Sequence, residues 1–256
     1  MDFNRWHKFK EITAVTTKRH FGHSKAPFDS VNLAFHVGDD PMAVKHNRET
    51  VLKELGLTKE QIVFAYQSHS DIVRLVTLSS GGAGYDSFES GIACDALYTY
   101  DAGLALAVFH ADCAPVFLYD EVRKWVAVIH AGTQGTLNRI TEKTVRHLIE
   151  AEGSDPRHIH AYIGPALTFA FHPITEAEKE NILKANPDFN YGIKRSDGIY
   201  YLDVPLLNYG QLRALGVPST NIEASGIDTY SNPNEYFSFA RDKKTGRHLS
   251  IIIKNR

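Results

Sequence analysis

Phe109-His110-Ala111-Asp112-Cys113-Ala114-Pro115, followed after one apolar run by Ile129-His130-Ala131-Gly132, is where the strand pattern of this chain meets its candidate chemistry. Each motif lies where a buried run gives way to a turn, so a thiol and an imidazole are delivered to strand ends, where folds build sites. Residues 96–100, 104–109, 116–119 and 125–129 read as successive strands, with turns at Asp101-Ala102-Gly103 and around 120–124. Pro115 lacks a ladder donor, so the chain is expected to leave the sheet after Cys113 instead of continuing it. A third candidate, His69 in Tyr66-Gln67-Ser68-His69-Ser70, ends the apolar run 62–66.

Working outward, 12–17 reads as a strand and 18–30 as a polar loop. Asp40-Pro41 opens a helix as N-cap and first helical residue, Val44, Asn47, Val51, Leu52 and Leu55 follow at helical spacing, and Gly56 stops it. Asn47-Arg48 lie on that helix. Residues 58–61 resemble a capping box, and 72–78 a further strand. The Gly- and Ser-rich stretch 79–91 is expected to form a mobile loop placed to lie over a site. Downstream, the pattern predicts helices at 136–151, 175–185 and 205–215, a loop at 186–193, and strands at 159–163, 200–204, 222–227 and 249–253. No repeat or linker interrupts it, so 1–256 reads as one mixed α/β domain.

With 256 residues and 43% hydrophobic content the chain is long enough to bury a large core. A formal charge of −2 leaves no basic surplus for neutralising a phosphate polymer, so nucleic acid is not an expected partner. No run of apolar residues is long enough to span a membrane, and Met1 to Lys8 lacks the apolar core of a signal sequence, so a cytoplasmic location is expected. The two cysteines, Cys94 and Cys113, make no disulfide framework and should remain thiols.

A cysteine in an apolar run is most often core, and a strand-end histidine is often satisfied by a carbonyl. Here one Cys and two His at strand ends suggest an open metal site, since a structural zinc would use four ligands in paired spacing, which this chain lacks. His110, three residues before Cys113, is a rival ligand. Asp112 is read either as the acceptor that orients a ligand His or as a turn former. The Gly132 to Gly135 turn exposes backbone N–H groups suited to phosphate, without the Lys or spacing of a P-loop. Arg48 and Arg241 are either surface arginines or bidentate grips for phosphate or carboxylate.

Many short motifs occur together in order: Asn32-Leu33, Gly38-Asp39-Asp40-Pro41, Asn47-Arg48, Gln67-Ser68-His69, Asp95-Ala96-Leu97-Tyr98-Thr99, Ala111-Asp112-Cys113-Ala114-Pro115, His130-Ala131-Gly132, Ile163-Gly164-Pro165-Ala166, Phe237-Ser238 and Thr245-Gly246-Arg247. In this the chain resembles the YfiH/laccase-domain family. The resemblance implies a layered α/β/β/α domain of central sheets flanked by helices, and a zinc site of His69, Cys113 and His130, with copper as the other candidate metal. It implies phosphorolysis of adenosine, inosine and methylthioadenosine and deamination of adenosine, with Asp112 shuttling protons in the latter. Phosphate would be held by Arg48 and the turn at Gly132, with Asn32 and Arg241 as further substrate contacts. Purine nucleoside and phosphate are thus the expected partners of a monomer or homodimer. An older reading of the family is copper-dependent polyphenol oxidase, and some members are linked to cell-wall precursors. A multicopper centre needs many paired histidines, and the chain has one H-x-H, His158-Ile159-His160. Three departures stand out: Thr133-Gln134 where the family has Trp-Arg, Asp228 where it has Cys, and Ala240 where it has Arg. The two lost arginines are expected to weaken phosphate binding.

Overall fold

Runs such as Leu104 to Phe109 and Val126 to Ile129 are apolar at every position, which a strand tolerates only when both its faces are covered. In the computed structural model, which describes residues 1–256, they are covered by a second sheet on one side and helices on the other. The first six-stranded sheet runs Phe3–Trp6, Ile12–Thr17, His248–Lys254, Ala105–His110, Ile62–Tyr66 and Ile92–Ala93. The second runs Ile222–Ala224, Ile159–Ile163, Ala114–Asp120, Val126–Ala131, Ala96–Thr99 and Val73–Leu75.

Side-chain alternation then assigns the layers. Leu106 and Val108 of the first sheet meet Phe117, Tyr119, Val126 and Val128 of the second in a shared core. Ala105, Ala107 and Phe109 face the other way, with Val51 and Leu52 of the helix Pro41–Leu55. Val116, Leu118, Ala127 and Ile129 face Ile140, Val145 and Leu148 of Ile140–Glu150 and Leu207 and Leu212 of Val204–Ala214. Each Val, Leu, Ile or Phe among them contributes roughly 1.5–3 kcal/mol on burial. The order is helix, sheet, sheet, helices.

Local chemistry accounts for the element ends. Asp40 accepts from Met42 N, Pro41 occupies the first helical turn, and Gly56, at φ +66°, donates back to Leu52 and Lys53. The single helix expected at 136–151 is two, Thr133–Leu137 and Ile140–Glu150. Arg139 between them adopts φ +63° and its guanidinium reaches Asn186, Glu142 and Asp188. Pro115 does not end the sheet: it is the second residue of Ala114–Asp120. Its carbonyl accepts from Gly164 N, beyond the last register pair Val116 with Ile163, so no ladder donor is required of it there. The expected strand 72–78 shortens to Val73–Leu75 because Thr77 caps the turn Leu78–Ser80. The 200–204 strand is Ile199–Leu202, paired with Ile193–Ser196 and Pro173–Ile174 in a small third sheet.

One buried histidine ties the C-terminal strand to the loop before it. His248 Nε2 accepts from Phe237 N at 2.7 Å, and burial pushes its pKa down to about 3. Below about pH 6.5 the unfolded chain takes up a proton that the folded ring refuses, so this stability is present above pH 6.5 and is lost as pH falls toward 3. Tm is expected to drop between pH 7 and 4.5, and less steeply in His248→Gln, which keeps an acceptor for Phe237. Identical acid slopes in the two proteins would reject this linkage.

Candidate metal centre

Three connections converge at one end of the stacked sheets. The chain leaves the first sheet at His110, crosses through Ala111-Asp112-Cys113, and enters the second at Ala114. His130 stands opposite Pro115 on the neighbouring strand, and His69 lies in the turn after Ile62–Tyr66. The ligand atoms of His69, Cys113 and His130 all lie within 4.8 Å of one another. Donors sharing a tetrahedral zinc sit about 3.3–3.7 Å apart, from Zn–N near 2.1 Å and Zn–S near 2.3 Å, so small rotations bring this set onto one ion. The donors are two imidazoles and a thiol, with room for a fourth ligand, which is the open zinc pattern.

Asp95 holds two of the three. Its carboxylate is fully buried and accepts from His130 Nδ1 at 2.8 Å, which turns His130 Nε2 toward Cys113. The same carboxylate accepts from the backbone N–H groups of Ser68, His69 and Ser70 and from Ser70 Oγ. Gln67 completes the clamp, its amide exchanging two 2.7 Å hydrogen bonds with the backbone of Phe109. His69 and Asp112 both sit at positive φ, +58° and +88°, a region where Asp and His are among the few side chains found. Backbone strain at both positions is thus held by bonds from elsewhere in the fold.

Charge separates the two thiols. Burial pushes Cys113 up, but His130 and then His69, by charge and hydrogen bonding, overcome it and leave the thiol low, at about 6. Burial alone would lower His130, yet Cys113 and Asp95 raise it to about 9. Without an ion the pair is therefore thiolate and imidazolium, and the thiolate is the form a metal binds. Cys94, buried and beside Asp95, is pushed up to about 12 and stays a thiol.

Gly132 contributes space. A Cβ there would meet Cys113 Sγ at 2.8 Å and His69 Cδ2 at 3.0 Å, so no other residue fits without moving two candidate ligands. The helix that follows it has only five residues, and the role of Gly132 evident in the structure is steric. Gly132→Ala is expected to lower zinc affinity at least tenfold with little loss of Tm, measured by chelator competition. Unchanged affinity would show that the ligands tolerate the displacement.

The other expected contacts are occupied elsewhere. Asp112 is not the orienting acceptor: its oxygens accept from Thr229 Oγ1 at 2.7 Å and Ala240 N at 2.6 Å, pinning two loops to the crossover. Asn32 is fully buried, bonding Ala34, Asp39 and the backbone N–H of Arg247. Arg241 donates to the carbonyls of Thr229, Tyr230 and Tyr236 and to Asp242. Arg48 is 1% exposed, donates to the carbonyls of Leu33, Gly84 and Tyr85, and lies over the rings of Phe35, Phe64 and Phe109. Asn32, Arg48 and Arg241 are thus not brought to the triad, whereas Asp112 adjoins Cys113 and lines a cleft there. His110, the rival ligand, is likewise outside the triad, its Nε2 2.8 Å from Ser250 Oγ.

Two clefts meet at Cys113. The larger, about 680 Å³, is lined by Phe171, Tyr201, Tyr230, Phe239 and Lys243, with Phe171 and Tyr230 stacked at 4.5 Å. Thr133 and Ala240, two of the family departures, also line it. The smaller, about 350 Å³, holds His69, His130, His36, Gln67, Phe88 and Arg247. Phe88 belongs to the 79–91 loop and packs on His36 at 3.9 Å, so that loop does lie against the site, fastened by Arg48. Arg247, from the Thr245-Gly246-Arg247 motif, is the cation of this smaller cleft. Its Nη1 is held by the carbonyls of Thr245 and Gly246, while burial lowers its pKa and the Cys113 and Asp112 charges work against that. Burial also drives His36 down to about 4, with Arg247 and Arg48 adding to the effect.

A family model described as multi-copper polyphenol oxidoreductase laccase matches residues 13–255. The chain is 35% identical over 247 residues to the purine nucleoside phosphorylase YlmD of Bacillus subtilis (strain 168), covering 95% of this chain and 88% of that protein. It superimposes on the crystal structure of the Bacillus licheniformis hypothetical protein YfiH with a TM-score of 0.90, at 33% identity, covering 96% of this chain and 94% of the other. For YlmD from Geobacillus stearothermophilus the TM-score is 0.91, at 32% identity, covering 97% and 93%. No helix is long and apolar enough to cross a membrane.

Proposed function

The chain belongs to the multi-copper polyphenol oxidoreductase laccase family, and on that premise we propose that it is a zinc-dependent purine nucleoside phosphorylase acting on adenosine, inosine and methylthioadenosine. The similarity to proteins named purine nucleoside phosphorylase supports the reaction class. The observation that carries the reading is the meeting of two unlike clefts at Cys113, one aromatic and large, the other small and lined by the Arg247 guanidinium.

The aromatic cleft suits a purine and its ribose, the stacked pair Phe171 and Tyr230 offering a π face to the base. Arg247 suits phosphate, since a guanidinium already partly withdrawn from water and held by two carbonyls loses less on taking an anion. A phosphate oxygen would attack ribose C1′ as the C1′–N9 bond breaks. The base leaves with the bonding pair and takes up the proton that the attacking hydrogen phosphate gives up, and ribose 1-phosphate remains. His69, Cys113 and His130 would hold zinc, which supplies Lewis acidity where the clefts join. Asp95 keeps His130 oriented throughout, and the 79–91 loop shields the smaller cleft through Phe88.

Two alternatives fit less well. Deamination of adenosine needs a carboxyl free to move protons, and Asp112 has both oxygens engaged. A multicopper oxidase needs several clustered histidines, but the His158 and His160 rings are paired with Glu121, outside the triad. Arg247→Met is expected to raise the phosphate KM about thirtyfold or more while leaving the nucleoside KM within about twofold. Chromatography of adenosine incubated with zinc-loaded protein is expected to show adenine only when phosphate is present. Inosine formed without phosphate, or phenol oxidation with no adenine, would overturn the phosphorylase reading.

A further inference from the structure

The smaller cleft contains a polar group that phosphorolysis as described leaves unused. His110 ends the strand Ala105–His110, is 2% exposed, and lines this cleft beside Arg247 and the triad. Its Nε2 lies 2.8 Å from Ser250 Oγ, which in turn lies 2.7 Å from Thr16 Oγ1, and both hydroxyl residues are fully buried. Its Nδ1 is buried and has no partner. A buried polar atom left unpaired costs about 1–3 kcal/mol, so its retention beside a reaction site points to a ligand atom that satisfies it.

The surroundings choose the ligand. The ring is rigidly placed, since His110 pairs with His248 across two central strands. It is neutral, because burial, and then the charges of His248, His130 and Arg247, hold its pKa well below the usual histidine range. When Thr16 donates to Ser250 and Ser250 donates to Nε2, the ring proton resides on Nδ1, the atom that this cleft-lining residue leaves unpaired. A fixed neutral donor next to a guanidinium matches an anion with several acceptor oxygens, and such aligned donors polarise one another.

We propose that His110 is a second, uncharged anchor for the phosphate, its Nδ1–H donating to a phosphate oxygen while Ser250 and Thr16 hold the ring from behind. The inference rests on the reading that the smaller cleft takes phosphate, and it adds a residue and a donor relay to that reading.

The test uses the zinc-loaded full chain and two substitutions. Asn places its amide nitrogen where Nδ1 lies, whereas Gln extends toward Ser250 and leaves the Nδ1 position empty. His110→Gln is expected to raise both the phosphate KM and the calorimetric Kd for inorganic phosphate about tenfold, with nucleoside KM, zinc content and Tm nearly unchanged. His110→Asn is expected to restore phosphate binding to within about threefold of the parent. Phosphate binding that is unaltered in His110→Gln would mean that a water satisfies Nδ1, and would overturn the proposal. Equal losses in both variants, or a rise confined to the nucleoside KM, would overturn it as well. Because calorimetry reads phosphate without turnover, a parent protein that binds phosphate through His110 yet releases no adenine would fail the phosphorylase reading alone.

Discussion

Cys113→Ala is expected to abolish stoichiometric zinc and to lower nucleoside turnover at least about 10³-fold, with a cooperative unfolding transition retained. Three features set the size of the effect. Cys113 is the only thiol near the triad, and its neighbours hold it as thiolate, so it is the strongest of the three donors. With it gone, two imidazoles remain, one of which sits on an exposed turn, and two neutral ligands bind zinc weakly. The fold survives because the crossover is held by backbone and carboxylate bonds, among them Leu167 N to Asp112 O, and not by the thiol. Elemental analysis after gel filtration, with circular dichroism as the folding control, measures both parts. A variant that keeps one zinc per chain and full turnover would remove Cys113 from the site.

Asp95→Asn carries the second large effect, and it is split between affinity and stability. The carboxylate accepts one hydrogen bond from His130 and four from the His69 turn, and an acceptor ringed by donors has no place for an amide NH₂. Asn retains one acceptor oxygen and turns a donor toward donors. Zinc affinity is expected to fall about 10- to 100-fold, as for other residues that orient a metal-binding histidine. Stability is expected to fall by about 3 kcal/mol, since the substitution leaves buried donors unmatched and removes the anion facing His130. Chelator competition and urea unfolding read the two quantities separately. Loss of zinc affinity without loss of stability would confine Asp95 to orienting His130, and loss of stability alone would confine it to the turn.

Much of the fold was legible because its central strands are buried on both faces. Runs such as Leu104 to Phe109 carry no polar residue until the chain reaches the site, so their ends mark where His110, Cys113 and His130 emerge. The helix Pro41–Leu55 was legible from its caps, Asp40-Pro41 and Gly56. Edge strands were not: Phe3–Trp6 and Ile92–Ala93 are short, and they are strands because a neighbour offers them a ladder. The triad was recoverable from strand-end placement, since each member follows an apolar run.

The residues around the triad were harder to place for a different reason. Arginine is equally able to reach solvent, a carbonyl or a ligand, and only tertiary structure decides. Arg48 and Arg241 donate to carbonyl oxygens away from the triad, while Arg247 lines the smaller cleft. Asp95 and Asp112 illustrate the same ambiguity between carboxylates. Both precede or interrupt strands like ordinary turn formers, yet the donors that define Asp95 come from 25 to 35 residues away. A usable signal was present: Asp95 directly precedes the apolar run that forms the strand Ala96–Thr99, and a carboxylate at the mouth of a buried strand must be meeting donors.

The central claim is that zinc held by His69, Cys113 and His130 supports attack of phosphate on a purine nucleoside, and one titration addresses it most directly. Protein stripped with a chelator would be given increasing zinc, and adenine release from adenosine followed with and without phosphate. The expected result is phosphate-dependent release that rises linearly and saturates at one zinc per chain. Release at full rate from zinc-free protein, or release indifferent to phosphate, would contradict the account.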